Sequence, residues 1–194
     1  TQIGDEDLGH VLAMAGFEKL EGIDLTNTHI SDTGLKYLGG LPQLSYVEVA
    51  NTHITDVGLE SLQELPELFS LNLSKTQISD AGLVHLSDMR SLGVLALSRT
   101  TIGDAGLAHL TGIKLWQLSL YETDIGDAGL ASLREHRLGY LDVGSTQISN
   151  QGLEYLRGQE SLHFLNIGKT QISDDGLEHL RECPMLESLG LHGT

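Results

Sequence analysis

No G-x-S-x-G serine elbow, no H-E-x-x-H and no phosphate-binding glycine loop occurs in these 194 residues, so neither nucleophilic nor zinc-hydrolase chemistry has a starting point. Cysteine is nearly missing too. Cys183 is the only one, which excludes an intrachain disulfide framework and leaves the redox compartment open. Cations are scarce: 11 Lys and Arg stand against 27 Asp and Glu, a net charge of −16. That balance opposes electrostatic capture of nucleic acid or of an anionic membrane surface. No apolar run approaches the roughly 20 residues that span a bilayer, and no signal-like segment opens the chain. What is present suits a packed core: 40% apolar and 20% charged residues, too evenly mixed for a disordered tail.

The organisation comes from a repeat. Threonine recurs at Thr1, Thr28, Thr52, Thr76, Thr100, Thr123, Thr146, Thr170 and Thr194, with spacings of 27, 24, 24, 24, 23, 23, 24 and 24. Ile follows two residues later (Ile30, Ile54, Ile78) and Leu seven later (Leu35, Leu59, Leu83). Aliphatic residues stand eight, five and three places ahead, as Leu68, Leu71 and Leu73 do before Thr76. The unit is L-x-x-L-x-L-x-x-T-x-I-x-D-x-G-L-x-x-L. Its L-x-L pair has the period of a short strand, and its L-x-x-L pair the spacing of one helical face. Neither element buries its apolar side alone, whereas stacked copies share a continuous core. One strand per unit then pairs in parallel with the next.

This unit resembles the leucine-rich repeat, in eight copies covering the whole chain. It is most similar to the cysteine-containing subtype of F-box substrate receptors and related bacterial proteins, with Thr in place of the usual Cys. Cys183, in Glu182-Cys183-Pro184, echoes that subtype's other cysteine position. The resemblance implies an α/β, right-handed solenoid of about eight repeats of 23–27 residues, with a parallel sheet on the concave face and helices on the convex face. Residues 1–194 are expected to form a single leucine-rich-repeat domain within a longer chain. In the longer first unit, Gly9–Gly16 is expected to form a divergent helix partly covering the first edge.

The recurrent polar residues are expected to be structural. Thr28, Thr52, Thr76, Thr100, Thr123, Thr146 and Thr170 form a ladder of hydroxyls satisfying backbone groups at the strand-exit corner. Asp32, Asp56, Asp80, Asp104, Asp127, Asn150 and Asp174, four residues after each threonine, are expected to cap the helices. Asn caps as well as Asp, so the uncharged eighth copy favours capping over calcium. The glycines two residues later are expected to permit close helix approach. His29 and His53 fall in adjacent units, but no third ligand of that column follows, and no metal or cofactor is expected. Cys183 shares a column with Leu41, Leu65, Met89 and Ile113 and is expected to be a buried apolar filler.

Outward strand positions are where specificity resides. Tyr140 and Phe164 are neighbours in one column, Tyr121 lies one unit earlier, Trp116 stands at the leading edge of its strand, and Tyr46 is in the first half. The two 23-residue units, each one residue short near Lys114 or Arg137, lie beneath this cluster. Exposed aromatics beside Gly144 and Gly168 form the kind of patch that anchors a protein partner. The expected function is a non-catalytic protein-interaction module with a rigid concave surface, the recognition domain of a larger protein. The alternatives are a structural array associating end to end through uncapped repeats, and the substrate-recognition part of a ubiquitin-ligase-like receptor or bacterial effector. Neither nucleic-acid binding nor membrane insertion is expected.

Overall fold

The computed structural model describes residues 3–14 and 16–194; Thr1, the first of the threonine column, and Ala15, in the first-unit stretch, lie outside the described residues. Eight strands form one parallel sheet in sequence order: β1 (Gly22–Asp24), β2 (Tyr46–Glu48), β3 (Ser70–Asn72), β4 (Val94–Ala96), β5 (Gln117–Ser119), β6 (Tyr140–Asp142), β7 (Phe164–Asn166) and β8 (Ser188–Gly190). Each strand is three residues long and pairs with its neighbour in strict register, as Tyr46↔Ser70 and Tyr140↔Phe164. The middle residue of each strand points inward, so Val47, Leu71, Leu95, Leu118, Leu141 and Leu165 form one fully buried row. Below, a rung is one threonine-to-threonine unit: the corner, the helical turn, the return and the strand that ends it, numbered by that strand.

A rung of 23 or 24 residues leaves little length for a return helix, and the convex side is therefore built of short turns. Helices α1 (Asp5–Ala13), α2 (Asp32–Leu38), α3 (Asp104–Leu107), α4 (Asp127–Ser132), α5 (Asn150–Leu153) and α6 (Asp174–Leu177) alternate or merge with 3₁₀ segments such as Asp56–Glu64 and Gly82–Leu86. α1 buries Leu8 but leaves Val11 exposed, as is Met14 just after it.

Two ladders hold the rungs. At the strand exit, each of the seven recurrent threonines from Thr28 to Thr170 donates its hydroxyl to the carbonyl three residues back: Thr52 to Val49 at 2.6 Å, Thr123 to Leu120 at 2.7 Å, Thr170 to Ile167 at 2.6 Å. The residue ahead of each adopts the left-handed conformation, from Asn51 at φ 55° to Arg99 at φ 60°. That twist turns the chain out of the strand and aims the residue's amide at the next rung; Asn51 N donates to Ser74 O at 2.8 Å and Glu122 N to Gly144 O at 2.9 Å.

The second ladder replaces the expected aspartate caps. Asp32, Asp104, Asp127, Asn150 and Asp174 occupy the first helical position, and side-chain capping comes from the extended residue before it: Ser31 and Ser149 accept from Thr33 N and Gln151 N. The aspartates reach across the stack instead. Asp32 accepts from the amide and hydroxyl of Thr55 (2.8 and 2.7 Å), and Asp127 from those of Ser149 (2.8 and 2.6 Å). Asp56 does the same with Ser79, while Asp80 and Asp104 take only the amides of Gly103 and Gly126. Asn150 binds Ser173 through both ends of its amide. The column glycines follow from this contact: a Cβ on Gly58 would lie 2.5 Å from Asp32 Oδ1, and on Gly129 2.6 Å from Asp104 Oδ1. The carboxylate of one rung fills the space where the next rung's side chain would stand.

Candidate functional site

The outward residues of the sheet divide the molecule. Over rungs 2 to 4 they are mostly small or polar: Ser70, Asn72, Ala96, Ala50, Ser74 and Ser98. In rungs 5 to 7 Tyr121, Tyr140 and Phe164 join such residues. Register places Tyr140 opposite Phe164, and their half-buried rings stack with centroids 4.2 Å apart and planes 2° from parallel. Such pairs contribute about 0.5–1.5 kcal/mol beyond their burial. Burial, with Asp142 nearby, pushes the Tyr140 phenol above its ordinary value. Tyr121 leans over Gly144, where a Cβ would lie 3.1 Å from its ring and 2.9 Å from the Asn166 amide. The Arg99 guanidinium sits 5.9 Å from the Tyr121 ring centroid and also pairs with Glu122 at 2.6 Å.

Trp116 immediately precedes β5 and is 53% exposed; its indole lies flat over Gly139 of the next rung, in the space a Cβ there would need. Tyr46 stands apart. It is four strands from Tyr140, about 19 Å at the usual strand spacing, and the adjacent Glu48 carboxylate pushes its phenol up.

Phe69 escaped the sequence reading. It occupies the column of Trp116, is 51% exposed, and its ring lies over Gly93 as Trp116 lies over Gly139. The signal was present as an aromatic–glycine alternation, Phe69, Gly93, Trp116, Gly139, along the edge residue before each strand.

Acid–amide pairs cross the middle of the face in both halves. Asn72 donates to Glu48 at 2.5 Å and Asn166 to Asp142 at 2.9 Å, while Ser74 N and Gly168 N donate to the two asparagines. Asp142 also accepts from Gly144 N. Burial pushes its carboxyl up, against the opposing pull of the Gly144 amide, Asn166 and His192.

The remaining reactive groups do not converge. His29 and His53 stack at 5.8 Å, both exposed, and among the described residues no three His, Cys, Asp or Glu side chains are placed to hold a metal ion. Cys183 is buried with its thiol pushed up by burial, and its Sγ approaches the Leu156 carbonyl at 3.3 Å. No described helix is long and apolar enough to cross a membrane.

Two leucine-rich-repeat family models match the chain, over residues 18–78 and 159–180. The molecule is a leucine-rich-repeat arc. No curated protein matches it in sequence. Among solved structures, the arc is similar to internalin C2 of Listeria monocytogenes, at 23% identity and TM-score 0.62, over 97% of this chain and 84% of that one. The internalin inlF of the same bacterium matches at 21% identity and TM-score 0.55, over 97% and 74% of the two chains. The plant peptide hormone receptor RGFR1, solved in complex with RGF2, matches at 15% identity and TM-score 0.59, over 90% of this chain and 28% of that one.

Proposed function

We propose that the arc is a non-catalytic recognition domain within a longer chain, meeting a protein partner across its concave sheet. Tyr121, Tyr140 and Phe164 form the centre, Trp116 borders it, and Tyr46 makes a separate contact four rungs away. The observation that carries this reading is the concentration of half-exposed rings on rungs 5 to 7, on a face whose other residues, Tyr46 and Val94 apart, are small or polar. Large rings over a rigid backbone bring contact area at little entropic cost, which is why aromatic residues dominate interface hot spots. The plant receptor of the same fold, solved in complex with RGF2, agrees with a binding role. The corner chemistry favours the cysteine-containing subtype with threonine as the corner residue, its hydroxyl satisfying a strand carbonyl. The ligase-receptor and bacterial-effector alternatives are versions of this same recognition role.

A pull-down from source lysate tests the face. A protein retained by the wild type and lost by the Trp116, Tyr121, Tyr140 and Phe164 alanine variant, with unchanged circular dichroism, places binding there; equal recovery by both moves the site to the convex side or loops. A second reading, end-to-end self-association, draws on β8, where Leu189 is 38% exposed although its counterparts in β2 to β7 are fully buried. Sedimentation that stays monomeric from micromolar to near-millimolar concentration removes it.

A further inference from the structure

One buried column breaks its own rule. Thirteen residues after each threonine, at the base of the return, stand Leu41, Leu65, Met89 and Ile113, all buried and all apolar. The same column continues as His136, Gln159 and Cys183, which are equally buried. Gln159 donates its side-chain amide to Arg134 O at 3.1 Å, and Cys183 has the Leu156 carbonyl. His136 has nothing: it is 4% exposed, and neither ring nitrogen has a hydrogen-bond partner. A leucine there would satisfy the fold.

His136 lines two adjoining clefts on either side of its loop. One, about 470 Å³, is bordered by Trp116, Lys114 and Arg137; the other, about 450 Å³, by Arg134, Arg137 and Arg157. Both fall in the size range of small-ligand sites. Four of the chain's 11 cations therefore line the two clefts, against Glu135 and Glu160 among the lining residues and Glu182, which pairs with Arg157 at 3.6 Å. In a protein of net charge −16 this is a local reversal of sign. It coincides with the two shortened rungs, which have lost one residue beside Lys114 and one beside Arg137.

We propose that these clefts bind the carboxylates of an acidic peptide segment, with Lys114, Arg137 and the His136 imidazole receiving the negative charge and the Trp116 indole supporting an apolar neighbour. Burial disfavours the imidazolium and closes both ring nitrogens off from solvent, so a carboxylate supplies the partner they lack only as the Glu135–Arg137 loop gives way around it. The remaining acidic surface repels such a peptide, so the local charge also fixes where it docks.

Trp116 is the only tryptophan and borders both this cleft and the concave face, so its fluorescence reports binding at either, and the Lys114 and Arg137 variants assign the response to the cleft. The test titrates the whole chain with the capped peptide Glu-Glu-Leu-Glu-Glu, with its all-Gln counterpart and with inorganic phosphate. A saturable response to the Glu peptide only is expected, weakening as salt rises. Arg137→Gln and Lys114→Gln are each expected to weaken it about tenfold or more, the loss of one charge-assisted hydrogen bond. His136→Leu, which matches Leu41 and Leu65 in its column, is expected to fold and yet to weaken binding similarly. No response, equal response to both peptides, response to phosphate alone, or full binding by His136→Leu each overturns the proposal.

Discussion

Rungs 2 to 4 and rungs 5 to 7 share their ladders and differ in almost everything else. The first group has units of 24 residues, an apolar column of Leu41, Leu65 and Met89 and a concave face of mostly small polar groups. Into the second fall the two 23-residue units, the stacked rings, the exposed indole and the unpartnered histidine. Both acid–amide pairs, Glu48–Asn72 and Asp142–Asn166, show the same chemistry in different settings: the first lies beside a lone tyrosine, the second under stacked rings where burial raises the acid. The stacked rings, the exposed indole and the unpartnered histidine are thus concentrated on one half of a scaffold whose supports are uniform.

If the supports are uniform, Leu71→Ala and Leu141→Ala each cost about 2–5 kcal/mol, and by similar amounts, because both side chains are fully buried in the same row. Urea denaturation checks this; a much smaller loss at Leu141 would mean that the second half is loosely packed and would break the comparison. Next come the aspartates. Asp56→Ala and Asp127→Ala each strand an amide and a hydroxyl of the following rung and are expected to cost about 1–3 kcal/mol, with Asp80→Ala lower because Gly103 offers only an amide.

The smallest effect has the opposite sign. His136→Leu removes two orphaned nitrogens and is expected to gain about 1 kcal/mol near neutral pH. It also sharpens with pH. Burial holds the folded imidazole below its ordinary value of about 6.5, so above that pH both the folded and the unfolded chain carry it neutral, and as pH falls through it the unfolded chain takes up a proton that the folded ring resists and the fold loses stability. Lys114, Arg134, Arg137 and Arg157 line the clefts beside it together with Glu135 and Glu160, Glu182 pairs with Arg157, and the depression itself comes from burial. Thermal melts at pH 7.5 and 5.5 should therefore show a growing advantage for the variant; parallel curves would place the imidazole in contact with water.

Much of the fold was legible because a repeat states its own register. Aligning the threonines alone pairs Tyr46 with Ser70 and Tyr140 with Phe164 and names every outward residue. The aspartate ladder was not legible in the same way, because periodicity shows that a residue recurs without showing which rung it bonds. Asp before Gly-Leu reads locally as a cap, and only the stack reveals that its carboxylate occupies the void left by the next glycine. His136 was within reach: the column that explains Cys183 runs directly through it. Phe69 was missed because an isolated aromatic before a strand has no local meaning until a glycine on the next rung lies beneath it.

The aspartate ladder also gives the stack a direction. From Asp5 to Asn150, each rung offers an acceptor forward and presents an amide backward, so the two faces of any internal rung are complementary rather than alike. A whole rung inserted between two others meets an acceptor on one side and a donor on the other, and no existing bond type has to change. Arc length can therefore vary by one rung at a time, whereas shifting part of a rung breaks the bond on both sides. Recombination of intact rungs could carry the aromatic surface to a new position along the arc while the scaffold beneath it stays the same.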